Sequence, residues 1–366
     1  MSKEELLQIV RYAQEHNASD IHLASHNHPM IRLMGEIKKL RVNILSNEYI
    51  LSLIQELTTD IQYQRFLTEK ELDFAADFGD SGYGRFRANA FFTSQGPSLA
   101  LRAIPAEMKS IDELGLPQVL KSLAMLDRGL VLITGATGSG KSTTLAAMIQ
   151  EINMHAAKHI LTIEDPLEFS FKSQKSLISQ RELGSHTLSF AAALKAALRE
   201  DPDVIMIGEM RDLETIRLAL TAAETGHLVF GTLHTSSAAK TINRIVEIFP
   251  SGEQSMIRNV LSESLEGVIS QRLLKRADGK GRVPALEVML ANSAIRSLIR
   301  DNKIPQIAST IQMGAGQGML SLHKHLEILV KQELITEQVA ADILNPMKSI
   351  SDRAIQQQHK SVDCDF

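Results

Sequence analysis

The segment GLVLITGATGSGKSTTLAAMI, at residues 129–149 of 366, limits the fold of this chain more than any other. An apolar run typical of a buried strand leads into a glycine-rich loop, and the loop leads into a stretch with helical spacing. Residues 135–142 match the pattern G-x-x-x-x-G-K-[ST], after a strand and at the start of a helix. This order predicts an α/β domain with a parallel sheet and a phosphate-binding loop.

The loop has the residue types that hold a nucleoside triphosphate. Glycines let backbone N–H groups converge on one point, and the helix N-terminus presents the positive end of its dipole. We expect Lys141 to contact the β- and γ-phosphates and the Ser142 hydroxyl to take one Mg²⁺ position. The predicted cofactors are therefore ATP and Mg²⁺. The predicted binding residues are Gly135, Ala136, Thr137, Gly138, Ser139, Gly140, Lys141, Ser142 and Thr143.

Acidic residues at two other strand ends are candidates for holding the metal and orienting water. Glu209 ends the run DVIMIGE, at the carboxyl side where open α/β sheets bind ligands, and Gly208 stands where the generic pattern has aspartate. Glu164 ends the run HILTIE, just before Asp165 and Pro166. We predict Glu209 as the acid that holds magnesium and Glu164 as the base that orients water. A solvated turn capped by Asp165 is the alternative for Glu164.

Two histidines flank the run LVFGTL. His234 follows its carboxyl end, where a neutral imidazole can donate to the γ-phosphate. His227 begins the same strand, about seven residues of roughly 3.3 Å each away, so strand length argues against direct contact with phosphate.

Arginines in the first hundred residues are candidates for stabilising charge on the γ-phosphate. Arg85 and Arg87 share one face of the strand GRFRANAFF, and Arg102 follows on SLALRAI. An arginine supplied by a neighbouring domain is the usual arginine finger of phosphoryl transfer. A solvated basic edge strand is an equally simple interpretation of these residues.

Composition narrows the class of protein. The chain is 44% hydrophobic and 22% charged, as globular proteins are. No apolar window approaches the roughly 18 residues of a membrane helix, and the N-terminus has acids where a signal peptide has its apolar core, so we expect a cytoplasmic protein. A net charge of −4 and the absence of tryptophan argue against a protein that grips nucleic acid. The one cysteine, Cys364, cannot form an intrachain disulfide.

The pattern of elements predicts two domains. Residues 1–103 read as a small α+β module, 104–118 as a linker and 347–366 as a polar tail. Residues 119–346 alternate short apolar strands with helices, and beyond Ser251 the pattern reads as purely helical.

Four stretches occur in an order that closely resembles the secretion ATPase superfamily of type IV pili and type II secretion. GATGSGKST, TIEDPLEF, IMIGEMRD and TAAETGHLVFGTLHT correspond to its Walker A, Asp box, Walker B and His box. SAIRSLIRD resembles the AIRNLIRE motif of the pilus retraction ATPases. Ser297 replaces the asparagine of that motif and Asp301 its glutamate, and Ala136 replaces a usual proline.

The resemblance implies a PAS-like N-terminal domain, a RecA-like P-loop ATPase domain with a helical C-terminal part, and a ring of six subunits with ATP bound between the domains. It implies Glu164 as the catalytic glutamate, Glu209 as the Walker B acid, and His227 and His234 as His-box residues. The implied function is ATP hydrolysis that drives pilus retraction and twitching motility. The implied partners are an inner-membrane platform protein, which would hold the ring peripherally at that membrane, pilin indirectly, and a paralogous retraction ATPase; no nucleic acid is expected.

Other functions stay open at this point. The chain could be an accessory retraction paralogue or a pilus assembly or secretion ATPase. A RecA-like nucleic-acid translocase shares the same core, and a nucleotide-binding scaffold shares the same loop.

Overall fold

The structure is a computed structural model that describes residues 3–16, 18–33, 35–78, 84–104 and 108–344. The predicted tail 347–366, with Cys364, lies outside the described residues, as does Pro105 of the predicted linker.

The chain divides into two compact units. The first consists of Met1–Met108 with two later segments, Glu164–Lys172 and Gln180–Thr187. The second consists of Lys109–Ile163, Ser173–Ser179 and Leu188–Phe366. The predicted domain limits place both later segments in the ATPase domain, and those limits stay a prediction.

The described part of the first unit contains a mixed arrangement of helices and a six-stranded sheet in the order β3-β2-β1-β6-β5-β4. The strands are β1 (Asp20–Ala24), β2 (Met30–Leu33), β3 (Glu36–Lys39), β4 (Glu71–Asp77), β5 (Arg85–Thr93) and β6 (Gly96–Ala103). The helices are α1 (Lys3–Glu15), α2 (Asn47–Leu57) and α3 (Asp60–Glu69).

Local signals account for these elements. The Ser46 hydroxyl caps α2, and Thr59 forms a capping box with Gln62 at the start of α3. PMIRLMGEIKKL, which reads as a single strand, forms the antiparallel pair β2 and β3, because Gly35 adopts a φ of 89° that turns the chain back. Buried apolar side chains such as Leu6, Ile50 and Phe66 form one core for this unit.

The second sheet has seven strands among the described residues, in the order β13-β12-β7-β11-β10-β8-β9. The strands are β7 (Gly129–Thr134), β8 (His159–Glu164), β9 (Leu177–Glu182), β10 (Val204–Ile207), β11 (Leu228–Leu233), β12 (Leu265–Lys275) and β13 (Arg282–Leu290). β7, β8, β10, β11 and β12 run parallel, and β13 is antiparallel to β12. Every residue of β7, β10 and β11 is buried, as the continuous apolar runs predict for parallel strands covered on both faces.

Helices accompany this sheet along the second half of the chain. They are α4 (Val119–Ala124), α5 (Lys141–His155), α6 (Phe190–Ala197), α7 (Leu213–Glu224), α8 (Ala238–Glu247), α9 (Gln254–Ser264), α10 (Ser293–Arg300), α11 (Ile307–Met313), α12 (Leu322–Lys331) and α13 (Glu337–Leu344). Short 3₁₀ turns occupy Ile304–Gln306 and Gly314–Gln317. Within the described ranges, no helix combines the length and the hydropathy needed to cross a bilayer.

The prediction of a purely helical chain beyond Ser251 is wrong, because β12 and β13 form an antiparallel hairpin there. Leu265, Val268 and Ile269 have helical spacing, but a strand buried on both faces is also apolar at consecutive positions. β12 is such a strand, because the consecutive residues 267–271 are all buried. It lies inside the sheet, between β7 and β13. Length and local pattern alone do not separate the two cases.

Candidate nucleotide-binding site

The loop between β7 and α5 has a backbone that its glycines make accessible. Gly135 has a φ of 147° and Gly140 a φ of 86°, in the region that favours glycine. A Cβ at Gly135 would lie 2.3 Å from the backbone oxygen of Gln271, and one at Gly140 would lie 2.8 Å from the Gln271 side-chain nitrogen. Gly135 is therefore required by close packing against the β12 backbone as well as by its φ, and Gly140 is required by its φ.

Lys141 is the first residue of α5 and is 8% exposed. Its ammonium group donates to the carbonyl oxygens of Gly135 at 2.9 Å and Ala136 at 3.1 Å. The side chain therefore folds back over the loop, and its charge lies beside the helix N-terminus, where an anion is favoured.

Parallel pairing brings several strand ends to one edge of the sheet. Thr134 at the end of β7 pairs with Leu233 at the end of β11, and the Gly135 N–H donates to the Leu233 carbonyl at 3.3 Å. Ile207 at the end of β10 pairs with Gly231 of β11. The phosphate loop, Glu209 and His234 therefore follow neighbouring strands at the carboxyl edge, where such sheets bind ligands.

Glu209 is the centre of a charged cluster at this edge. Its Oε1 lies 3.0 Å from Nε2 of His234, and its Oε2 accepts from the Arg211 guanidinium at 2.7 Å. Burial by itself raises the pKa of Glu209, but Arg211, His234 and Lys141 together lower it below the ordinary 4.5. The carboxylate is therefore held in its charged form. Arg211 is not among the residues predicted from the sequence, although a basic residue two positions after the acid was the available signal.

The segment that carries Glu209 is fixed to β11 by its backbone. The Met210 N–H donates to the Thr232 carbonyl at 3.0 Å, and the Thr232 hydroxyl donates to the Gly208 carbonyl at 2.5 Å. A Cβ at Gly231 would lie 2.8 Å from the Met210 side chain, so this glycine allows the segment to approach. These contacts set the position of the acidic side chain.

Glu164 is the last residue of β8 and is 5% exposed. It accepts from the Gln180 side-chain amide at 3.3 Å and from the Glu168 N–H at 3.3 Å. The carboxylate is therefore buried and oriented, and the interpretation of Glu164 as part of a solvated turn is wrong. Its role as the base stays a prediction.

His227 lies at the other end of β11 from His234. The Gly129 N–H donates to its carbonyl at 3.0 Å, and its Nδ1 contacts the Ala222 carbonyl at 2.9 Å. Within one chain the structure does not bring His227 to the cluster around Glu209, in agreement with the strand-length argument.

The candidate arginines all lie in the first unit. Arg85 is paired with Asp77 at 3.6 Å and with Glu182 at 3.4 Å, and Glu182 is only 2% exposed. Arg102 donates to Asp20 at 2.8 Å while its side chain stays 69% exposed. Arg87 is exposed on the same strand face as Arg85.

A cavity of about 620 Å³ lies beside the phosphate loop, within the second unit. Gly140, Thr143 and Thr144 line it on one side, and Gln271, Leu273 and Arg276 line it from the β12–β13 hairpin. Its volume is in the range of sites for small molecules and cofactors. The hairpin that sequence analysis missed therefore forms one wall of the site.

Comparison with known proteins agrees with this geometry. The family model described as "Type II/IV secretion system protein" matches residues 2–360. The twitching motility protein of Neisseria gonorrhoeae is 54% identical over 312 residues, which is 85% of this chain and 83% of that protein. The type IV pilus retraction ATPase PilT of Pseudomonas aeruginosa is 49% identical over 338 residues, 92% of this chain and 97% of that protein. The type IV pilus ATPase PilU of the same organism is 36% identical over 347 residues, which is 94% of this chain and 90% of that protein.

A solved structure has the same fold. The crystal structure of the pilus retraction motor PilT with bound ADP matches with a TM-score of 0.85 and 48% identity, and covers 92% of this chain and 96% of that chain. The α/β architecture is thus an N-terminal domain with a RecA-like ATPase domain. The chain therefore belongs to the family of type II/IV secretion system proteins, and within it to the type IV pilus retraction ATPases.

Proposed function

We propose that this chain is a hexameric motor that hydrolyses ATP to retract type IV pili and so supports twitching motility. One observation carries the proposal: a complete phosphate loop shares its sheet edge with the Glu209–His234 pair, in a chain that is 49% identical to a pilus retraction ATPase. The loop and the residue pair are the groups that phosphoryl transfer needs. The identity to a retraction ATPase indicates that hydrolysis is coupled to pilus retraction.

The loop residues fit a bound nucleotide. Ser139 is buried within the loop and packs against the backbone of Gly135. The start of the loop is fixed at Gly135, which packs closely against the β12 backbone and whose N–H donates to the Leu233 carbonyl. We place the phosphates against residues 135–143 and the base and ribose in the adjoining cavity.

The site also has the ligand types that Mg²⁺ prefers, namely the hydroxyl of Ser142 and the charged carboxylate of Glu209. When bound, the ion would neutralise charge on the phosphates. Arg211 and His234 keep Glu209 ionised and oriented for that role.

Three further roles in hydrolysis, namely those of base, donor to the γ-phosphate and arginine finger, are assigned to Glu164, His234 and an arginine. Glu164 is buried and orients the attacking water as a base, and His234 donates to the γ-phosphate. Of the three candidate fingers, Arg85 and Arg102 are in ion pairs in this structure, which favours the exposed Arg87. His227 makes its contacts at the far end of β11 and is the least supported of the catalytic candidates.

The partners follow from the same proposal. A ring of six subunits would act on an inner-membrane platform protein and through it on pilin, and this contact would hold the ring at the membrane. Loss of the γ-phosphate removes contacts to the Glu209 cluster, and NTPases convert such a loss into movement. The 49% identity to PilT against 36% to PilU, both from one organism, favours the principal motor over an accessory paralogue.

Deleting the gene in its host tests the direction of the motor. We expect surface filaments to accumulate and to stop shortening, with recovery by the wild-type gene and none by Lys141→Ala. Loss of filaments would instead indicate an assembly ATPase. Unchanged filament number and shortening would contradict both functions.

A further inference from the structure

Gln271 connects β12 to the phosphate loop, although it lies in none of the motifs identified in the sequence. The residue is 2% exposed, in the middle of the strand. Its Nε2 donates to the Ser139 carbonyl at 2.8 Å, and its Oε1 accepts from the Thr144 hydroxyl at 2.7 Å. One side chain therefore holds both the loop and the first turn of α5.

The geometry requires an amide. The Ser139 carbonyl can only accept a hydrogen bond, so the NH₂ group of Gln271 must face it and the carbonyl group must face Thr144. Glutamate has the same size but, when ionised, donates nothing to Ser139, and methionine fills the space without either bond. A buried carbonyl without its donor is costly, so the site distinguishes glutamine from both.

Fixing the Ser139 carbonyl also fixes the next N–H group. The peptide between Ser139 and Gly140 is planar and trans, so its C=O and N–H point in opposite directions. With the carbonyl directed at Gln271, the Gly140 N–H points to the other side of the loop. A Cβ at Gly140 would lie 2.8 Å from the Gln271 amide nitrogen, so glycine at this position leaves room for that amide beside the loop.

We propose that Gln271 is a positioning residue for nucleotide binding, which holds the Ser139–Gly140 peptide so that the Gly140 N–H faces the bound phosphates. The proposal rests on the nucleotide site proposed above. The same strand lines the adjoining cavity with Gln271 and Leu273, so β12 supports the phosphates and the base together.

The test is the dissociation constant for Mg-ADP, measured by calorimetry on the full chain at pH 7.5 and pH 5.5. We expect Gln271→Glu to weaken binding about tenfold or more at pH 7.5, because one buried donor is lost. Protonation at pH 5.5 gives the acid an O–H donor, so part of the affinity returns. Gln271→Met should bind Mg-ADP more weakly than the wild type, and by a similar factor at both pH values. Thr144→Val keeps the bond to Ser139, so it should lose less affinity than either Gln271 variant.

Gln254→Glu is the matched control, because the Gln254 amide also donates to a backbone carbonyl, that of Phe249 at 3.1 Å, outside the site. Its affinity should equal that of the wild type at each pH. If Gln271→Met melts at a lower temperature but binds Mg-ADP like the wild type, Gln271 is merely structural and the inference is wrong. Failure of the wild type to bind would overturn the nucleotide site itself and this inference with it.

Discussion

Oε1 of Glu209 and Nε2 of His234 lie 3.0 Å apart at the carboxyl edge of the second sheet. Their pairing joins the acid that follows β10 to the histidine that follows β11, and Arg211 holds the second carboxylate oxygen at 2.7 Å. The histidine that we propose as a donor to the γ-phosphate is thereby connected to the acid that we propose as a magnesium ligand. Changes at either residue are expected to affect both nucleotide binding and turnover.

Arg211→Ala should shift the acid limb of the ATPase pH profile toward neutral pH. Burial raises the pKa of Glu209, and Arg211 is the strongest of the groups that bring it below 4.5. Without Arg211 the pKa rises, and the carboxylate is protonated at a higher pH. The check is kcat between pH 4.5 and 8 for the wild type, Arg211→Ala and the exposed control Arg244→Ala. Superimposable profiles for wild type and Arg211→Ala would contradict this role.

The lowered pKa of Glu209 also predicts a difference in stability between the wild type and Arg211→Ala that depends on pH. The pKa of Glu209 is lowered by folding, so the stabilisation it supplies is present above the ordinary value of 4.5 and is lost as the pH falls through the folded value. The melting temperature of Arg211→Ala should therefore be lower than that of the wild type at pH 7 and equal to it in strong acid. The difference is expected to be small, since Arg211 is 67% exposed.

Glu164→Gln should bind Mg-ATP within about threefold of the wild type and lose turnover by about 10²- to 10⁴-fold, the range of general base catalysis. Glutamine keeps the size of the buried side chain but cannot accept a proton from water. Nucleotide affinity and steady-state hydrolysis, measured on the same preparation, separate the two effects. Glu247→Gln, at an exposed position at the end of α8, serves as control. Wild-type turnover by Glu164→Gln would exclude it as the base.

The sequence predicts best the parts of the site that consist of contiguous residues. The loop at 135–142 and the acids at strand ends follow from local pattern, since a strand, a turn and a helix are specified by neighbouring residues. Gln271 and Arg211 were missed because their roles depend on contacts across the fold. Gln271 lies 132 positions from Ser139, and only the pairing of β12 with β7 brings them together.

The candidate arginines show the same limit of prediction from sequence. Sequence spacing predicts that Arg85 and Arg87 share a strand face, and they do. It does not indicate that Arg85 faces Glu182, a partner 97 positions away. A charged residue that looks available in the sequence can thus be occupied in the fold.

Arg85→Ala should lower the melting temperature of the protein, in addition to any effect on the rate of ATP hydrolysis. Glu182 is almost fully buried, and removing its partner leaves a buried carboxylate without a counter-charge. Such a loss costs about 3–5 kcal/mol for fully buried pairs, and we expect less here because Arg85 is 22% exposed. Adding Glu182→Gln should restore much of the stability. A wild-type melting temperature for Arg85→Ala would instead favour a finger role alone.

Glu182→Gln should make stability less dependent on pH in the window that begins at the ordinary glutamate pKa of 4.5 and extends upward. Burial raises the pKa of Glu182 above 4.5, although Arg85 opposes the shift. The folded chain keeps this proton to a higher pH than the unfolded chain, so the contribution of this group to stability falls as the pH rises through that window. Thermal melts in a pH series check this, and an unchanged pH dependence would contradict it.

Arg296→Ala should destabilise the fold by about 1.5–3 kcal/mol, the value of hydrogen bonds to charged groups. Its guanidinium donates to the Ser262 and Glu263 carbonyls at the end of α9, at 2.8 and 2.7 Å, and to Glu266 at 2.9 Å. Arg300→Ala, on the same helix and exposed, should change stability by less than about 0.5 kcal/mol. Urea unfolding of both variants measures the difference, and equal effects would mean that Arg296 does not act as a cap.

Steady-state ATP hydrolysis by the purified full chain in magnesium buffer, beside Lys141→Ala, tests the central claim most directly. Lys141 is held over the loop by the Gly135 and Ala136 carbonyls, and its loss removes the cation expected at the β- and γ-phosphates. We predict turnover by the wild type and a loss of at least about 10²-fold in Lys141→Ala, given the size of electrostatic effects on phosphoryl transfer. Equal, negligible rates in both proteins would contradict the assignment of this chain as an ATPase motor.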